Sequence, residues 1–216
     1  MNNYLRPAVL IVCFLALASL AYGQGTSARA NEEQIKKDLE TVPCKDKERL
    51  EGVKDLFLAA GADESEVEVK EFKNVTNLVV TKKGKGEGTV IVGAHYDKVS
   101  DGCGALDNWS GIVILARLYQ TIRSFDTQKT FIFAAFGKEE IGLIGSSAMA
   151  KEIPDEEREN YCAMVNFDSF GLAYPQSLQN VSDRSLEKVA EAVSEEMKIP
   201  FASAAIDNAS SDSASF

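Results

Sequence analysis

The sequence predicts an α/β protein, a three-layer α/β/α sandwich around a mixed, mainly parallel central sheet. Residues 89–94, 130–136 and 161–167 are apolar runs without alternation, the pattern of strands covered on both faces. Helical periodicity fills the stretches after each of them, and a strand–helix rhythm places helices on both sides of a parallel sheet. Residues 67–72 and 77–81 come before this rhythm and read as antiparallel strands at one side of the sheet, which makes it mixed.

Asn31 and Gln34 form a capping-box pattern that opens a first helix, running to about residue 42, where Pro43 interrupts it. A second helix covers about 45–60: Leu50, Val53, Leu56 and Phe57 share one face, and Gly61 stops it. Residues 82–88 are a Lys/Gly turn. Further helices are expected over about 108–124, 143–151 and 185–198. Residues 210–216 are Ser-rich, with neither strand nor helix to close the sheet, so the domain is expected to be incomplete at its C-terminus.

Hydrophobic residues make up 45% of the 216 and charged residues 26%, enough for a core and unlike a disordered chain. Arg6, the apolar stretch 8–21 and the small residues around Ala21-Tyr22-Gly23 follow the three-part plan of a secretory signal. The stretch is too short to span a bilayer comfortably. The expected organisation is a signal over 1–23, a leader over 24–30 and a catalytic domain over 31–216, exported to the extracellular space or periplasm. The net charge is −10, and an acidic surface repels phosphate backbones and anionic lipid. Neither nucleic acid nor, after signal removal, a membrane is expected as a partner. Of the four cysteines, Cys13 lies in the apolar stretch. Cys44, Cys103 and Cys162 leave room for one pair and one thiol, or for a partner further along the chain. No two cysteines are spaced as CxxC, which argues against a cysteine-based zinc site.

Each apolar strand runs into ionisable side chains at its C-terminal end: His95 and Asp97 after the first, Glu139 and Glu140 after the second, Asp168 after the third. In open α/β sheets the ligand crevice lies beyond these ends, so residues remote in sequence should converge there. Asp107 precedes the helix expected from Asn108. Taken singly, His95 reads as a structural histidine, Asp107 as a helix N-cap, Asp168 as a turn residue and Glu139-Glu140 as a solvated acidic pair. Taken together, one imidazole and several carboxylates on one rim form a hard-to-borderline metal site suited to zinc, with manganese or cobalt as alternatives. Without a cation Asp107, Glu140 and Asp168 would repel one another.

His95-Tyr96-Asp97, Gly104 to Gly111 around Asp107-Asn108-Trp109, Phe136 to Ser146 around Glu139-Glu140, and Asn166-Phe167-Asp168 resemble the co-catalytic two-zinc aminopeptidases, a family that includes secreted leucine aminopeptidases, glutamate carboxypeptidase and glutaminyl cyclases. The resemblance implies two Zn2+ per complete catalytic domain. His95 and Asp168 bind one ion, Asp107 bridges both, Glu140 binds the second, Glu139 is the general base and Asp97 holds His95. It also implies a cis Asp107–Asn108 peptide and, as substrates, peptides with a free N-terminus. The implied activity is removal of N-terminal residues. The alternatives are glutaminyl-peptide cyclisation on the same fold, carboxypeptidase or dipeptidase action, or a non-catalytic homologue. One departure stands out: the second ion of the family needs a further histidine, and His95 is the sole histidine of this sequence. A chain that stops before that ligand is expected to bind metal poorly.

Overall fold

The computed structural model describes residues 31–216; the expected signal and leader lie outside the described residues. Asn31 caps α1 (Glu32–Glu40) with its side chain, which accepts from the Gln34 amide. The reciprocal half of the capping box is not made; the Gln34 side chain turns along the helix, and its Nε2 donates to Asp38. α2 spans Asp46–Ala59 and buries Val53, Leu56 and Phe57 as expected, with Leu50 half-buried. It also buries Arg49, which shares that face at helical spacing from Val53 and Leu56 but carries a charge.

The main sheet has five strands: β1 (Val67–Glu71), β2 (Thr76–Lys82), β3 (Thr89–His95), β4 (Thr130–Phe136) and β5 (Tyr161–Asn166). Their spatial order is β1-β2-β4-β3-β5. β1–β2 and β2–β4 pair antiparallel, β3–β4 and β3–β5 parallel. Only β2 therefore runs against the other four strands, and the sheet is mixed and mainly parallel.

β3 and β4 are central and buried towards their C-terminal halves. β5 differs from the expected fully covered strand: as the outermost strand it leaves Cys162 and Val165 exposed.

Helices cover both faces. On one, α2 and α3 (Ser110–Ile122) enclose Val53, Phe57, Leu78, Ile112, Leu115, Tyr119 and Phe133. α1 is tied to this layer by a buried ion pair, Arg117 Nε to Asp38 Oδ2 at 2.5 Å, and by Trp109 Nε1 donating to the Asp38 carbonyl. On the other face α4 (Ile144–Glu152) brings Met149 against Val79, Ile91, Ala134 and Phe136. The sandwich thus has the three expected layers. A second, two-stranded parallel sheet of β6 (Gln176–Leu178) and β7 (Ala202–Ala204) was not foreseen. Both strands are too short to show a period. α5 (Arg184–Met197) lies between them in sequence.

Cys44 and Cys103 form a disulfide and Cys162 is a free, exposed thiol. No helix among the described residues is long and apolar enough to cross a membrane.

Candidate metal centre

Because β3 lies between β4 and β5, the segments leaving the three strands meet at one rim. His95, the last residue of β3, is buried, with 1% of its side chain exposed. Its Nε2 is 3.1 Å from Asp107 Oδ1, 3.7 Å from Asp168 Oδ1 and 3.9 Å from Glu139 Oε2. One ligand-type atom from each of His95, Asp107 and Asp168 lies within 4.8 Å of the others.

Asp97 stands behind the imidazole, 3.5 Å from Nδ1, longer than a hydrogen bond. Its two oxygens accept instead from the backbone N–H groups of Glu139 (3.0 Å) and Glu140 (3.2 Å). Asp97 thereby joins the end of β3 to the turn after β4.

That turn is held from below by Asn77 of β2. Its Oδ1 accepts from the Gly137 amide at 3.1 Å and its Nδ2 donates to the Gly145 carbonyl at 2.9 Å. A Cβ on Gly145 would stand 2.4 Å from Asn77 Oδ1, so a side chain there would push the staple apart. Glu140 Oε1 is buried without a hydrogen-bond partner among the described residues. A buried, unpaired carboxylate oxygen is costly unless a cation meets it.

Asp107 is not an N-cap. It lies in the turn Ala105–Trp109 with non-helical φ and ψ, and α3 starts at Ser110. The Asp107–Asn108 peptide is cis, as the resemblance implied. Asn108, given no role from sequence, is fully buried. Its Nδ2 donates to the Phe167 carbonyl at 2.9 Å, and its Oδ1 accepts from the amides of Gly111 (3.0 Å) and Ser169 (3.1 Å). It therefore ties the Asp107 turn to the residues on either side of Asp168.

Two further residues arrive from the end of the chain. Ser211 Oγ donates to Asp168 Oδ2 at 2.8 Å and accepts from Asn166 Nδ2 at 2.6 Å. Asp212 is fully buried, and neither of its carboxylate oxygens has a hydrogen-bond partner among the described residues. No pattern in the sequence marks either one, since the contact bridges more than forty positions.

The electrostatics are those of a cation site. Burial disfavours a charged imidazole, but the carboxylates of Asp107, Asp168 and Asp97 outweigh it, and the His95 pKa is pushed up to about 12. A proton there neutralises negative charge that a metal would otherwise balance. Loss of solvent, helped by Asp212, Asp168 and Glu140 against the opposing pull of His95, lifts Glu139 to about 7. Burial chiefly lifts Asp212 to about 6 and raises Glu140 as well. Asp97 and Asp168 resist burial through their hydrogen bonds and stay below the usual carboxylate range. All six residues expected at the site, His95, Asp97, Asp107, Glu139, Glu140 and Asp168, are thus gathered at one rim. His95, Asp107 and Asp168 can hold one ion.

The fold and site define an α/β protein with an acidic, imidazole-bearing cluster at the C-terminal ends of parallel strands. Residues 77–216 match peptidase family M28, and the chain belongs to that family. It is 33% identical over 119 residues to aminopeptidase YwaD of Bacillus subtilis, a match covering 53% of this chain and 26% of the relative. The structure of a zinc aminopeptidase from B. subtilis superposes with a TM-score of 0.59 at 27% identity, over 65% of this chain and 37% of that one. A glutaminyl cyclase from an Acidobacteriales bacterium superposes with a TM-score of 0.67 at 16% identity, over 85% and 73% of the two chains, a likeness of fold alone. The chain spans about a quarter of the length of the B. subtilis relative.

Proposed function

We propose that this chain carries the catalytic core of a zinc-dependent aminopeptidase that removes N-terminal residues from peptides. The observation that supports it most is the approach of His95, Asp107 and Asp168 to within ligand-sharing distance, with Glu139 alongside and the B. subtilis zinc aminopeptidase built on the same fold. Zinc bound there would acidify a water and polarise the scissile carbonyl.

The protein's own part is positional. His95, Asp107 and Asp168 would hold one ion, and Glu140 would contribute to a second. Glu139, which is left out of the close ligand group, takes the proton of the attacking water and returns it to the leaving amine. Asp97 keeps Glu139 and Glu140 in register through their backbone amides.

The same fold supports a second reading, cyclisation of N-terminal glutamine, motivated by the likeness to the glutaminyl cyclase. The free α-amine is recognised in both. We also read the chain as exported, on the strength of the 8–21 apolar stretch and of a disulfide that belongs to oxidising compartments.

Incubation with aminoacyl-nitroanilides and with peptides carrying N-terminal glutamine, with and without chelator, separates the readings. Chelator-sensitive release of the first residue is expected. Replacement of Glu139 by Gln should lower kcat by roughly 10²–10⁴ with zinc affinity retained. Cyclisation without hydrolysis would transfer the assignment to the second reading, and chelator-insensitive turnover would remove the metal from both.

A further inference from the structure

Arg49 of α2 is fully buried, yet no carboxylate comes within ion-pairing distance of it among the described residues. An unpaired buried guanidinium is costly unless its donors are met. Here they are met by main-chain carbonyls. Nη1 donates to Pro43 at 3.0 Å and to Cys103 at 2.8 Å, Nη2 to Gly104 at 3.3 Å, and Nε to Tyr96. The guanidinium also lies over the Trp109 ring, 5.3 Å from its centroid.

These partners are not scattered. Tyr96 sits between His95 and Asp97. Cys103 and Gly104 lead into the turn that holds Asp107, and Trp109 closes it. Gly104 is left-handed (φ 59°), and its carbonyl also accepts from the Trp109 amide at 3.0 Å. The Cys44–Cys103 disulfide ties the segment just before α2, where Pro43 accepts from Arg49, to the same Cys103. The match to the peptidase family begins only at residue 77, so Arg49 and Cys44 lie outside it.

We infer that Arg49 is a positioning residue for the metal centre, its fork of donors fixing the main chain at Tyr96 and Gly104 so that His95 and Asp107 meet at one ion. The inference rests on the metal-site reading above.

Two consequences of a positive charge at Arg49 have opposite signs. If it acted only as a charge near the acidic rim, removing it would tighten binding of a divalent cation. If it acts by holding the two segments, removing it loosens the ligand set and weakens binding, in the range of about 10–100-fold seen when supporting residues of metal sites are lost.

The test is a Co2+ titration of the chain, followed by visible absorption and by competition with a chelator. Arg49→Met should bind at least about tenfold more weakly, with an altered Co2+ spectrum. Arg49→Lys keeps the charge but offers one nitrogen in place of a fork, and should recover only part of the affinity. Phe57→Leu, a buried change on the same helix away from these carbonyls, should leave affinity and spectrum as in the parent. The parent binding Co2+ with Arg49→Met equal or tighter would overturn this inference alone. Parental affinity in Arg49→Lys would also overturn it, and that variant decides the matter should Arg49→Met fail to fold. Equal weakening in Phe57→Leu would reduce the effect to general loosening and overturn it as well. A parent that binds no Co2+ would take down the metal-site reading and this inference together.

Discussion

Phe57, Leu78, Leu115, Tyr119 and Phe133 are closed to solvent between α2, α3 and the sheet, whereas Leu186, Val189, Val193 and Met197 of α5 stand 38–59% exposed. Both sets are apolar, and only the first meets an opposing layer. What holds α5 to β6 and β7 is instead polar: Glu187, the one buried residue of the helix, accepts from Ser177 Oγ at 2.6 Å, from Ser203 Oγ at 2.5 Å and from Arg184. The metal centre draws on both kinds of region. His95, Asp107, Glu139 and Glu140 extend from the packed sandwich. Asp168 lies at the outermost strand and is steadied by Ser211 from the end of the chain. The difference teaches that periodicity reports which face of a helix is apolar, but not whether anything covers it.

Three measurements sharpen the contrast. The largest effect is expected in the sandwich. Phe133→Ala leaves a cavity between α3 and the sheet and should lower unfolding free energy by about 3–5 kcal/mol, read from denaturant midpoints at unchanged m. A loss below about 1 kcal/mol would place the core elsewhere.

An intermediate effect is confined to acid. The hydrogen bonds from Ser177, Ser203 and Arg184 depress the Glu187 pKa to about 2. A depressed carboxylate stabilises the fold above its ordinary pKa, near 4.5, and that contribution fades as pH falls from about 4.5 through about 2. Protection of the β6 and β7 amides, measured against their intrinsic exchange rate at each pH, should therefore fall across that window. In Glu187→Gln protection should be lower at neutral pH and change less on acidification. Identical profiles in parent and variant would mean that Glu187 does not hold this unit. The smallest effect is Val193→Ser on the open face of α5, which should shift stability by no more than about 0.5 kcal/mol. A larger loss would show that this face is covered in solution.

Much of the site was legible because its chemistry sits at strand ends. His95, Glu139 and Asp168 follow apolar runs whose parallel arrangement brings their termini to one rim, and an imidazole among carboxylates suggests a cation without any coordinates. Asn108, Ser211, Asp212 and Asn77 were not legible in their roles. A buried polar side chain takes its meaning from partners remote in the chain: Asn108 from Phe167 and Ser169, Ser211 from Asp168, Asn77 from Gly137 and Gly145. Arg49 is the sharpest instance. Its spacing to Val53 and Leu56 puts it on the apolar face of α2, but the carbonyls that meet its donors lie mostly about fifty positions away.

The sequence by itself determined the order of the elements of the main sandwich, the sandwich class and the strand-end residues His95, Asp97, Glu139, Glu140 and Asp168, because backbone periodicity and strand-end chemistry are local properties; Asp107 joined them through the resemblance of its motif. It also left the cysteines open between one pair and a partner further along. Only the tertiary structure decided the single reversed strand, the exposed edge at β5, the Cys44–Cys103 pair, and the hydrogen bonds that aim Asp107 and Asp168 at His95. Those depend on which segments come within about 3 Å of one another, and such proximity is a property of the packed chain that no local pattern encodes.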